Sequence, residues 1–352
     1  MLVADFSRVL AGPFCTQVLA DLSFDVVKVE RPDGGDDTRG WGPSYFLGLN
    51  RGKRSVALDL KDPADAALAR ELVARADVVV ESFRPGVWER FDLGAPKRVE
   101  CHVTAFGAND LPGYDLLLQA VSGLMHVTGE EDGRPLKVGA AVIDLVCGLH
   151  AAVAVLAALR HEDFRRVEVS LMDSALVTLV NQASAFLNEG VSPTRMGNRH
   201  PAIAPYETFA ASDGDFALAC GNDAMFGRLC AAIERPELAR DERFATNVAR
   251  RREAAALKAI LDGRFAEGRA AHWIERLNAA GVPAGPINDV PAAFAFAERL
   301  GLDPVWDLDG VRTVRSPLRG LAKPTTRPPR LDEHGDEIRS WLRAPGGSAS
   351  GA

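Results

Sequence analysis

Residues Leu2 to Glu30 read LVADFSRVLAGPFCTQVLADLSFDVVKVE. The apolar run Leu2 to Phe6 and the valine-rich run Asp25 to Glu30 predict two strands, and Gly12 to Asp21 predicts a helix between them. The alternation continues outward. Val56 to Leu60, Asp77 to Glu81 and Val99 to Ala105 are further candidate strands. Pro63 to Arg75 is a candidate helix, acidic at its start and basic at its end, as the helix dipole favours. Repeated βα units imply a parallel sheet covered by helices, an α/β fold. The turn after the first strand, FSRVLAGPF, lacks GxGxxG, so a dehydrogenase reading has only the βαβ unit and the position of Glu30 behind it.

The middle of the chain changes character. Leu171 to Leu187 predicts one long helix, and PYETFAASDGDFALAC (Pro205 to Cys220) places two apolar runs around a Ser-Asp-Gly-Asp turn, a hairpin. Helical patterns follow over Phe226 to Ile233 and Asn247 to Leu277, and Gly281 to Pro286 ends them. The chain then returns through Val311 to Pro317. The expected organisation is a large α/β domain over 1–187, a small α+β domain over 188–294, a return segment over 295–343 and a flexible tail over 344–352.

Composition narrows the function. The 352 residues are 47% hydrophobic and 25% charged, with a net charge of -7, ordinary for a globular enzyme and against a nucleic-acid partner. Cys15, Cys101, Cys147, Cys220 and Cys230 form no CxxC pair and read as reduced thiols of a cytoplasmic protein. No membrane span, leader peptide or zinc-ligand spacing is recognisable, so neither a membrane nor a metal is expected.

Asp144 is the only acidic residue between Lys137 and Glu162, set between VGAAVI and the apolar helix LVCGLHAAVAVLAAL. A lone carboxylate in such surroundings is costly to bury. One reading makes it the N-cap of the following helix. Another makes it a nucleophile kept ionised by the helix dipole. The two are compatible.

The blocks LVADFSRVLAGPFCTQVLADLSFDVVKVERPDGGDDTRGWGP, SYFLGLNRGKRSVALDLKDP, ADVVVESFRPGVWERFDLG and GYDLLLQAVSGLMHVTG resemble, in order, those of the class III CoA-transferases. That family includes formyl-CoA transferase, carnitine CoA-transferase and, as an isomerase branch, α-methylacyl-CoA racemase. The resemblance continues through VEVSLMDSALVTLVNQASAFL, RFATNVARRRE, GVPAGPIND and LDEHGDE. It implies a large Rossmann-like domain, a smaller α+β domain and two chains threaded through each other as an interlocked homodimer.

CoA carries an adenine, a 3'-phosphate and a pyrophosphate, so its site needs cations, backbone donors and an apolar slot. Arg8, Arg31, Lys61, Arg84 and Arg90 fall at or just after candidate strands, where open α/β sheets bind ligands, although solvated surface charges would look the same. The resemblance assigns CoA contacts to Arg8, Ala11, Arg31, Leu58, Lys61, Ser82, Phe83 and Arg90. It makes Asp144 the catalytic nucleophile, forming an acyl-aspartyl anhydride and then an aspartyl-CoA thioester. Gly113, Tyr114, Asp115 and Gly139 are expected around the substrate. Ser82 stands where relatives have Asn, and Leu10 where formyl-CoA transferase has Gln, which argues against formyl or oxalate specificity. A racemase needs two acid/base groups, and the position where that branch carries His is Tyr114 here, a weaker base. The alternative candidate, His126, lies about three helical turns away and is expected to be partly buried. The expected partners are an acyl-CoA and a small carboxylic acid, with Arg195, Arg199 and His200 as candidate contacts from the small domain.

Overall fold

The structure is a computed structural model in which residues 1–344 are described; the tail predicted over 344–352 lies, except for Ala344, outside the described residues. Six strands, β1 (Leu2–Phe6), β2 (Asp25–Glu30), β3 (Lys53–Ala57), β4 (Val78–Glu81), β5 (Val99–Thr104) and β6 (Arg165–Ser170), form an all-parallel sheet in the order β3-β2-β1-β4-β5-β6. Successive residues face opposite sides of the sheet, so the valine-rich strands serve two cores. Val3, Val26, Val78, Val80, Val99 and Cys101 pack beneath the helices Ala11–Asp21 and Val142–Ala158. Ala4, Phe6, Val27, Val29, Val56 and Val79 pack on the other side, with Pro63–Arg75 and the C-terminal helix Gly335–Arg343. Asp62 caps Pro63–Arg75 through the amides of Ala64 and Asp65.

Three elements differ from the sequence-based expectation. β3 starts at Lys53 rather than Val56, because Lys53 and Ser55 are buried with polar partners instead of standing in solvent. β6 was not foreseen as a strand: Arg165–Ser170 is a half-exposed edge, short of apolar residues. The helix expected over 171–187 is two, Leu171–Thr178 and Asn181–Glu189, broken at Val180, whose φ of +42° is left-handed. No Gly or Pro marks that break.

The chain forms two compact units. The large unit comprises, among the described residues, 1–125, 137–193 and 303–344, and includes an antiparallel ribbon of β10 (Val305–Leu308) and β11 (Val311–Val314). The other holds 126–136 and 194–302, where the sequence reading had drawn the small domain over 188–294. Its sheet is β7 (Tyr206–Ala211), β8 (Gly214–Ala219) and β9 (Ala284–Pro286), antiparallel, with the turn at Ser212-Asp213. Phe209, Phe216, Phe265 and Trp273 make an aromatic core there, with Phe265 edge-to-face to the other three. Arg250 is wholly buried in that unit, donating to the carbonyls of Ala204 and Phe244 and to Asp223.

Candidate functional site

The strand order reverses between β1 and β4, and the loops leaving their carboxyl ends form a crevice at that point. Two neighbouring cavities of the large unit open there. The first, about 380 Å³, has apolar walls from Phe6, Val29, Leu58, Leu60 and Phe91, with the cations Arg8, Arg31, Lys61 and Arg84. The second, about 220 Å³, is lined by Leu10, Ala11, Gly12, Ser82, Gly113, Tyr114 and Asp144, among others. Arg8, Phe83 and Arg84 line both. An apolar slot flanked by exposed cations thus adjoins a smaller chamber containing a carboxylate.

Buried ion pairs beneath the crevice hold the turn after β1. Asp5 accepts from Ser7, Thr16 and Lys53. Burial alone would raise its pKa, but Lys53 and Lys28, together with the hydrogen bonds from Ser7 and Thr16, outweigh burial and hold the carboxyl down to about 2. Burial lowers the Lys53 ammonium to about 8. Lys28 donates to the carbonyl of Ser7 at 2.9 Å and pairs with Asp36 at 2.9 Å. Asp36 also accepts from the amide of Val9, at 3.3 Å to each oxygen. Val9 needs that support, since its φ of +70° is unfavourable for a β-branched residue. The amide of Arg8 donates to Ser82 Oγ at 3.1 Å, which joins the turn after β1 to the turn after β4.

The arginines of the first cavity remain available to an anion. Arg8 and Arg31 share the single carboxylate of Asp37, at 3.0 and 2.7 Å, and both guanidinium groups are more than half exposed. Arg84 is held by Asp110. Exposed pairs of this kind contribute little, and bidentate binding of a phosphate competes with them readily.

Asp144 is not the N-cap. Ala141 occupies that position, and Asp144 is the third residue of the helix Val142–Ala158. The capping acceptor comes from another helix: Asp115 Oδ1 accepts from the amides of Ile143 at 2.9 Å and Asp144 at 3.3 Å. Asp115, itself held by Gln119 at 2.6 Å, therefore stands behind the cavity wall rather than in it. The Asp144 side chain has no hydrogen-bond partner among the described residues and is 8% exposed. Burial, and after it the charge of Asp115, raises its pKa to about 7. The helix dipole favours the ionised form, but here these two effects outweigh it.

Gly148 positions this carboxylate. A Cβ there would lie 2.5 Å from the carbonyl oxygen of Ala11, so only glycine lets the two helices approach this closely. The first turn of Ala11–Asp21 thereby lines the same chamber as Asp144. No side chain caps that helix, and the amides of a first turn have no intrahelical acceptor. Cys147, one turn beyond Asp144, is a poor nucleophile, because burial pushes its thiol up to about 12.

Of the residues singled out from sequence, Arg8, Arg31, Leu58, Lys61, Phe83 and Arg84 line the first cavity. Arg8, Ala11, Ser82, Phe83, Arg84, Gly113, Tyr114 and Asp144 line the second. Arg90 lines neither, and sits on an open recess with Arg84, Pro85 and Asp110. Gly139 is exposed and lines neither cavity. Arg195, Arg199 and His200 lie in the small unit, where Arg199 pairs with Glu131. His126 is exposed rather than partly buried. Sequence reasoning passed over Lys28, Asp36 and Tyr45. The signal for Lys28 was a lysine inside the otherwise apolar strand DVVKVE. The Tyr45 phenol is raised by burial and then by the charges of Asp144 and Asp115, which marks it as their neighbour. Glu30 is fully engaged by Arg39, Ser55 and the amide of Asp36, so it is not free to hold a ribose.

The chain is 39% identical to a succinate–glutarate CoA-transferase of Agrobacterium fabrum, over 97% of this chain and 94% of that protein. It is 38% identical to an acetyl-CoA:oxalate CoA-transferase of Acetobacter aceti, over 98% and 95%. A CaiB/BaiF family protein from Brucella suis has the same fold, with a TM-score of 0.86 at 41% identity, covering 97% of this chain and 98% of the other. Residues 1–335 match the profile of CoA-transferase family III, and the chain belongs to that family.

Proposed function

We propose that this CoA-transferase moves CoA from an acyl-CoA thioester to a small carboxylic acid through covalent intermediates on Asp144. The ionised carboxylate attacks the thioester carbonyl carbon, the C–S bond breaks, and CoA leaves as a thiolate from an acyl-aspartyl anhydride. The thiolate then attacks the aspartyl carbonyl carbon and releases the donor's carboxylate, leaving an aspartyl-CoA thioester. The incoming carboxylate attacks that thioester and expels the thiolate. The thiolate in turn attacks the acceptor's acyl carbon, forming the new acyl-CoA and regenerating Asp144. One thioester is exchanged for another, so the sequence conserves its energy.

The observation that carries this reading is a buried carboxylate with no hydrogen-bond partner among the described residues, lining a chamber that shares a wall with an apolar, cation-flanked slot. The uncapped first turn of Ala11–Asp21 offers amide donors to an oxyanion in that chamber. The first cavity suits the nucleotide end of CoA, with Arg8, Arg31 and Lys61 toward its phosphates. The names of the relatives favour a small dicarboxylate as one of the acids.

We further propose that the working form contains two copies of the chain. Val153, Val177 and Leu187 are each more than 60% exposed on helices of the large unit, and so is Val180 in the turn between two of them, apolar surface that a second copy would cover. All five thiols are free and buried, in keeping with a reducing, cytoplasmic compartment.

The test is peptide mass spectrometry after mixing the protein with a panel of acyl-CoA thioesters, with hydroxylamine or borohydride trapping and Asp144→Ala alongside. An adduct on Asp144 that is absent from the variant is expected. No adduct with any donor, together with α-proton exchange in deuterated water, would overturn the transferase mechanism in favour of racemisation.

A further inference from the structure

Behind the wall shared by the two cavities lies a buried ionic cluster that the transfer chemistry does not use. Glu81 ends β4, and His102 is its register partner on β5. Both ring nitrogens of His102 meet carboxylates: Nδ1 contacts Glu81 Oε1, and Nε2 lies 2.7 Å from Glu100 Oε1. Glu100 and His102 are two residues apart on one strand and so share a face of the sheet. Arg166 on β6 reaches Glu100 at 3.3 Å and pairs with Glu89 at 2.6 Å. Glu168, opposite His102 in the β5–β6 register, is exposed. Glu81, Glu100 and His102 are all buried.

The other oxygen of Glu81 accepts the amide of Phe83 at 2.6 Å. The Phe83 ring stacks on Trp88 and lines both cavities, while its neighbours Ser82 and Arg84 hold the Arg8 amide and Asp110. A carboxylate gripped on both oxygens has one orientation, and the segment that it holds inherits that orientation.

We propose that His102 is a positioning residue for CoA: by gripping Glu81 it fixes the Ser82–Arg84 segment that forms the wall common to the nucleotide slot and the chamber of Asp144. This rests on the reading of the two cavities as the CoA site. The imidazolium is what makes the grip work. A neutral ring has one N–H and satisfies only one of the two carboxylates, leaving the other buried without its counter-charge. Burial lowers the pKa of His102, but Glu100 and Glu81 outweigh burial and Arg166 and raise it to about 9. The ring is therefore charged throughout the neutral range.

The experiment measures binding of a CoA thioether, which has no titrating thiol, to the full-length protein between about pH 7 and about pH 10, in wild type and His102→Gln. At neutral pH the variant is expected to bind roughly tenfold more weakly, the loss of one charge-assisted hydrogen bond, with kcat at saturating substrate within about twofold. Wild type is expected to lose affinity in a step near pH 9 that the variant lacks; a step from Lys53 near pH 8 would persist in both. A folded variant that binds as wild type does, with the same pH profile, would overturn the proposal.

A second measurement needs no variant. In imidazole nitrogen NMR of wild type, one histidine is expected to carry both protons above pH 8, and saturating thioether is expected to raise its midpoint by about one pH unit, the reciprocal of a tenfold coupling. A midpoint that ligand leaves unmoved sinks the proposal. Absence of thioether binding at any pH would remove the CoA-site reading itself and this proposal with it, a different result from binding that ignores the state of His102.

Discussion

Asp144 shows how one residue's chemistry and stability oppose each other. Its pKa is raised from 3.8 to about 7, so the folded protein retains a proton that the unfolded chain has lost. This contribution makes stability fall as pH rises from about 4 to about 7, and the full cost of the ionised form, about 4 kcal/mol, is present above pH 7. Asp144→Asn removes that charge. Urea unfolding at pH 8 is expected to show the variant more stable than wild type by up to about 4 kcal/mol, with the gain vanishing below about pH 4. Transfer activity should fall by at least about 10³-fold, because the proposed nucleophile is gone. In wild type, kcat/KM for the acyl-CoA should rise with pH through about 7 as Asp144 ionises, a limb that steady-state rates across the neutral range would reveal.

At the scale of elements, the site depends on two helices meeting at a glycine. Gly148→Ala would push a Cβ against the carbonyl oxygen of Ala11 and the Phe14 ring. Backbone cannot rotate aside as a side chain can, so the helices must separate. The expected loss is about 1 to 3 kcal/mol of unfolding free energy. Asp144 is one turn upstream and Ala11 is on the chamber wall, so kcat should fall as well. Equal kcat in wild type and Gly148→Ala would show that the spacing of these helices does not matter to the chemistry. The break at Val180 belongs to the same scale: apolar periodicity runs through 171–187, yet one helix stops at Thr178 and the next starts at Asn181.

At the scale of the whole molecule, the exposed apolar faces of the helices Val142–Ala158, Leu171–Thr178 and Asn181–Glu189 bear on assembly. Light scattering is expected to give the mass of two chains. Replacing Val177 and Val180 with Asp should yield single chains with little activity, because charges on a buried contact are costly to desolvate. A single-chain mass for active wild type would refute the two-copy proposal.

The sequence by itself determined the α/β class, since valine-rich runs alternating with helical periods have few other solutions, and it singled out Asp144, because a lone acid in twenty apolar residues stands out. The cations at the strand ends were legible for the same reason: an open parallel sheet binds its ligands there. Only the folded chain shows which groups surround those residues. Asp115 lies 29 positions from Asp144, yet it caps the helix and adds its charge to the burial that raises the Asp144 pKa against the dipole. Arg90 and Gly139 lie close in sequence to residues of the site, but line neither cavity. Lys28, Lys53 and His102 look like ordinary strand residues until the sheet brings Asp5, Asp36, Glu81 and Glu100 against them. Periodicity records which face a residue turns toward, whereas a buried charge is defined by the partners that other strands bring to it.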